Sequence, residues 1–93
     1  MQYSHHAQLS EIVALPAPGA SAVVFWTGNA RHSITAQDGA TWSLLDSSGS
    51  ILGEFVTADG VFAILDDDGR EMEHCDNWRS AVRQILRRAV RAA

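Results

Sequence analysis

Five glycines punctuate the middle of this chain, Gly28, Gly39, Gly49, Gly60 and Gly69, at gaps of 11, 10, 11 and 9 residues. Turn signals about every 8–12 residues, separated by short apolar or β-branched runs, mark consecutive antiparallel strands. The spacing predicts strands over 22–26, 32–35, 41–45, 51–56, 61–65 and 71–75. Two of the turns share their chemistry. Asp46-Ser47-Ser48-Gly49 and Asp66-Asp67-Asp68-Gly69 place Asp first, where its carboxylate can accept from backbone N–H groups ahead of it, and Gly last. Asp38-Gly39 and Asp59-Gly60 mark the reversals between them. Residues 43–49 align with 63–69 at a period of 20, so one kind of hairpin is expected twice.

Beyond Cys75 the period changes. Trp78, Ala81, Val82, Ile85, Leu86 and Ala89 recur at helical spacing and form one apolar stripe. Asp76 or Asn77 is a suitable N-cap. A helix is therefore expected from about 77 to 91, with Trp78, Val82 and Ile85 buried beneath it. Near the other end Leu9, Ile12 and Val13 also have helical spacing, Ser4 could cap them, and Pro16 and Pro18 would stop the run. A short helix over 6–14 is expected there. The fold class that follows is α+β: an antiparallel β-meander of five to seven short strands with one C-terminal amphipathic helix packed on a face. The 93 residues are enough for a single domain, 1–93, with an N-terminal segment and linker at 1–21, hairpins at 22–75 and the helix at 76–93.

Composition narrows the class. Apolar residues make up 46% and charged residues 19%, which excludes the polar, highly charged range of disordered chains. The longest apolar runs, 22–26 and 61–65, fall far short of the ~20 residues of a membrane span. No basic segment followed by an apolar core opens the chain, so a secretory leader is not expected. Cys75 is the sole cysteine and cannot form an internal disulfide, which fits a cytoplasmic setting.

Catalytic and metal motifs fare poorly. Read as an EF-hand, Asp66-Asp67-Asp68-Gly69 would begin at Ile64 and end at Cys75, neither of which can supply the required ligand. His5, His6, His32, His74 and Cys75 lack the spacing of a zinc site, and His74 and Cys75 point to opposite faces of a strand. There is no nucleophile elbow, P-loop or dinucleotide fingerprint. Catalytic, cofactor and metal residues are thus expected to be none. A hydrolase or nuclease using His32 and His74 as acid and base stands as a remote reading.

Charge is the compositional oddity. Residues 1–76 hold all eleven acids against Arg31 and Arg70, a balance of −9, whereas 77–93 hold five Arg and no acid. Arg79, Arg83, Arg87 and Arg91 fall four apart on one helix face, and each such like-charge pair costs about 0.2–0.5 kcal/mol. An acidic protein surface, in this chain or a partner, is the expected counterpart, with Asp66–Asp68, Glu71 and Glu73 as candidates; nucleic acid is the rival. The strands 51–56 and 61–65 are apolar on both faces, so one helix cannot cover them. A homo-oligomer, most simply a dimer, is expected to do so, with Trp42, Phe55 and Phe62 on the shared apolar face. The function expected is a non-enzymatic, self-associating accessory protein that binds a partner protein or small molecule.

Overall fold

The expected hairpins form, and their turns explain why. A computed structural model describes residues 7–92, with side chains through Val90. Its strands are β1 (Val23–Thr27), β2 (Ala30–Ala36), β3 (Thr41–Leu45), β4 (Ile51–Ala58), β5 (Val61–Leu65) and β6 (Glu71–Cys75). They form one antiparallel sheet in strictly sequential order. Asp46 Oδ1 accepts from the backbone N–H of Ser48 at 2.9 Å and of Ser50 at 3.0 Å. Asp66 Oδ1 does the same for Asp68 at 2.9 Å and Arg70 at 2.8 Å. The period of 20 is therefore a turn built twice from one arrangement of atoms.

The likeness continues into the strands. Leu44 faces Gly53 while Leu45 faces Ile51, and Ile64 faces Glu73 while Leu65 faces Glu71. Leu52 and Met72 are thus the extra residues of two matching bulges, which bend their strands and re-aim side chains. Between the two, Asp59 and Gly60 both have positive φ, 54° and 80°. That is the two-residue type I′ closure, whose twist matches the flanking strands.

Alternation along the strands defines an inner face. Phe25, Ile34, Leu44, Phe55 and Ile64 run across five strands on this face and are all but sealed from solvent. The helix α1 (Trp78–Ala92) lies on it, over β4, β5 and β6. Asn77 Oδ1 caps it, accepting from the Ser80 N–H at 2.9 Å, and Trp78, Ala81, Val82 and Ile85 are buried below. Gly53 makes the seat. A Cβ at that position would lie 2.6 Å from Ile85 Cγ2, so only glycine lets the helix come this close to β4.

The N-terminal helix is corrected by the structure. In place of a helix over 6–14 there is a single 3-10 turn, Leu9–Glu11, after which Ile12 is extended; Ser4, its expected cap, and residue 6 lie outside the described residues. Tertiary contacts outweigh helical spacing here. Gln8 bridges Trp26 beside β1, Trp42 Nε1 donates to the Pro16 carbonyl at 2.9 Å, and Arg79 donates to the Ile12 carbonyl. A helix would withdraw the Ile12 carbonyl from Arg79. The extended path instead carries Leu9, Ile12 and Leu15 onto the core.

That segment also answers which face is closed. Trp42 and Phe55 are buried and Phe62 half-buried, in one aromatic cluster with centroids 5.7 to 6.3 Å apart. The residues expected at an oligomer face therefore sit inside the subunit's own core. The outer face of the sheet is mixed rather than apolar throughout: Ser33, Thr35, Thr41 and Ser43 occupy it on β2 and β3, and the Ser43 hydroxyl donates to Glu54 Oε2 at 3.3 Å.

Candidate binding cleft

Because α1 lies over β4 to β6, the β1–β2 side of the inner face is left without a helix above it. The result is a cleft of about 640 Å³ between the β1–β2 hairpin and the C-terminal half of α1. Its size falls within the ~300–1,000 Å³ usual for small-molecule sites. The walls are aliphatic: Ala30 from β2, Leu52 from the first bulge, and Leu86, Ala89 and Val90 from the helix. Val90 is 75% exposed, a large apolar side chain left in water. Four polar residues complete the lining: Thr27, His32, Asp46 and Arg87.

His32 is the unusual member. Opposite Phe25 in the register, it stands on the inner face and is only 8% exposed. Its ring lies 5.3 Å from that of Phe25, and the Thr27 hydroxyl is 2.8 Å from Nε2. Nδ1 is buried with no hydrogen bond among the described residues. Burial lowers the pKa of this ring; the Asp46 carboxylate and the Leu45 carbonyl pull the other way and are outweighed. Burial thus favours the neutral ring. A neutral imidazole has one donor and one acceptor, so the Thr27 hydroxyl serves either tautomer at Nε2.

Asp46 and Arg87 differ in what they have left to offer. Asp46 Oδ1 also accepts from the Ser48 hydroxyl at 2.6 Å, and that bond, followed by the Ser50 N–H, holds the carboxyl below its usual range. Arg87 commits Nη1 to Gln84 Oε1 at 3.0 Å. Among the described residues it meets this amide oxygen and no carboxylate.

The Arg stripe divides in the structure. Arg79 is a clamp: it holds the Ile12 carbonyl and stacks over the Trp78 ring with its guanidinium carbon 4.6 Å from the centroid. Arg83 and Arg87 point into solvent, and the Arg91 side chain lies outside the described residues. Within the subunit, the expected pairing of Arg79, Arg83 and Arg87 with Asp66–Asp68, Glu71 or Glu73 is not the one seen among the described residues. Arg88, off the stripe, takes Glu73 at 2.6 Å, and Gln84 binds the other oxygen of Glu73 at 3.0 Å.

His32 and His74 are not brought together. His74 stands opposite Ala63 on the outer face, bonded to Glu71 at 3.0 Å. With β3, β4 and β5 between their strands, about 19 Å of sheet separates them. The Cys75 thiol is pushed up by burial, then by Glu73 and Asp76, which is the reverse of activation. Among the described residues no three His, Cys, Asp or Glu side chains gather as a metal site requires, and no helix is long and apolar enough to cross a membrane. No protein-family model, curated protein or solved structure matches the chain.

Sequence reasoning singled out His32, but for acid–base chemistry with a distant partner, and did not find the cleft. One signal was available. Gly53 lies inside β4 rather than in a turn, which marks a close backbone approach. That approach fixes where the helix lies, and so where it does not.

Proposed function

We propose that this chain is a small non-enzymatic binding module whose site is the His32 cleft and whose ligand is apolar over most of its surface. The observation that carries the reading is the cleft itself, aliphatic on both sides with the buried His32 ring in its lining. A concave apolar site with a few convergent polar groups is the usual form of a small-molecule pocket. The test is fluorescence titration with N-phenyl-1-naphthylamine, an uncharged apolar probe. The wild-type chain should give saturable enhancement, and Ala89→Trp, which fills the cleft from the helix side, should remove it without lowering Tm. No binding by the wild type, or binding undiminished in Ala89→Trp, would count against the site.

Self-association is a second part of the proposal. It is supported by a shallow hollow on the outer face, formed by Val56, Ala58, Val61 and Ala63 beside Glu71 and His74, where a second copy could add apolar cover. Sedimentation equilibrium over a hundredfold dilution checks it, and a 10.1 kDa species throughout would remove it. Arg83 and Arg87 remain available to an acidic protein surface. Nucleic acid is less favoured, since the two solvent-facing Arg described on α1 make a small footprint on a chain of net charge −4. The lone Cys75 suits a reducing, cytoplasmic setting.

A further inference from the structure

We infer that the cleft takes a primary aliphatic amine, its hydrocarbon chain between Leu52, Leu86 and Val90 and its ammonium group on Asp46. The inference rests on the binding-module reading and adds the chemistry of the ligand.

The walls select the chain. A peptide would bring an N–H and a C=O with every residue, and each must find a partner once it leaves water. This cleft opens on the face of the sheet, where the β2 and β3 backbones are already paired with each other, and its helical wall presents Leu86, Ala89 and Val90. It can satisfy one polar head and nothing periodic. An alkyl chain asks for nothing more.

Asp46 selects the head group. Its turn uses one oxygen only: Oδ1 accepts from the Ser48 N–H, the Ser48 hydroxyl and the Ser50 N–H, at 2.6 to 3.0 Å, while Oδ2 takes no hydrogen bond among the described residues. The twin turn shows that the loop needs no more, since Asp66 also holds its backbone through Oδ1 alone. The two differ in their surroundings. Asp46 lines the cleft, half-buried beside aliphatic walls, and Asp66 does not. The Asp46 carboxyl is held below its usual range by its turn and is therefore ionised at neutral pH. A carboxylate on an apolar surface, with one oxygen spare, gains most from a charged N–H donor.

No side chain of the protein supplies that donor. Among the described residues no Arg pairs with Asp46, and burial favours the uncharged form of the neighbouring His32. Arg87 is drawn the other way. It donates to Gln84, whose amide in turn reaches Glu73 on β6, so the guanidinium sits on the β6 flank of the helix, away from the β1–β2 hairpin. The helix adds a second attraction. Its C-terminal half forms one wall of the cleft, and the carbonyl end of a helix favours a cation with about half a charge.

The experiment is calorimetric titration of decylamine, decanol and decanoate into the full chain at pH 7, and into Asp46→Asn and Asp66→Asn. Asparagine keeps an acceptor for the turn and removes the charge, and Asp66→Asn makes the same change at the twin turn, off the cleft. Decylamine should bind the wild type best and displace N-phenyl-1-naphthylamine. Its affinity should fall about tenfold in Asp46→Asn, as for loss of a charge-assisted hydrogen bond, and hold in Asp66→Asn. Decanol should bind all three proteins equally. The ranking of the three ligands on the wild type needs no variant, so it decides even if Asp46→Asn lowers Tm. If decanol or decanoate binds the wild type as tightly as decylamine, or Asp66→Asn costs as much as Asp46→Asn, the head-group assignment fails and the apolar cleft stands. If none of the three binds, the assignment fails together with the binding-module reading.

Discussion

Phe55→Ala should lower the unfolding free energy by about 3–5 kcal/mol, the cost of removing a buried aromatic ring and leaving a cavity. Phe55 has no solvent exposure and sits at the middle of the inner face, paired to Trp42 on one side and Ile64 on the other. Its ring also meets that of Phe62, 6.3 Å away, so the cavity would border three strands and could not collapse without moving one of them. Domains of this size have about 5–15 kcal/mol in total, so the variant should be close to unfolded at body temperature. Urea denaturation checks it, with the slope expected to hold and the midpoint to fall. A midpoint within 0.2 M of wild type, roughly the scatter of such extrapolations, would mean the ring is not in the core.

The second large effect should come from the contact between Gly53 and Ile85. Ile85→Ala should cost about 2–5 kcal/mol as a buried large-to-small change. Gly53→Ala should cost about 1–3 kcal/mol, because its methyl would stand 2.6 Å from Ile85 Cγ2 and the β-branched side chain on a helix has little rotameric freedom with which to yield. The double variant is the informative one. The new methyl would enter the space left by Ile85, so the two losses should sum to less than their parts by 0.5 kcal/mol or more, about the least coupling such a cycle resolves. Strict additivity would place the helix elsewhere on the sheet.

The strands and the helix could be read from the sequence because their causes are local. Asp46 and Asp66 bond to backbone within four residues of themselves, and Asn77 caps three residues ahead. Three of the six strands, 41–45, 61–65 and 71–75, have the expected bounds, and the others begin and end within two residues of them. The N-terminal segment was misread because its partners are remote: Trp42 lies 26 residues from Pro16, and Arg79 67 residues from Ile12. The apolar character of both faces of 51–56 and 61–65 was visible, but which face the chain itself would close was not. That depended on Leu9, Ile12 and Leu15 reaching the core. The cleft was illegible for a related reason, since it is defined by the lateral position of α1, and that is set by one glycine.

The sequential order of the strands bears on how the protein comes to be made. Each strand pairs with the one synthesised just before it, so hairpins can close in turn without waiting for a distant piece of chain. The cover is different. Every strand precedes α1, so Phe25, Ile34, Leu44, Phe55 and Ile64 have been synthesised, and can already be aligned on one face, before the helix that shields them exists. During that interval the nascent chain shows a ribosome-tethered apolar ledge to its surroundings. Such surfaces are where chaperones bind and where neighbouring chains aggregate. The interval ends only when the helix has cleared the exit tunnel.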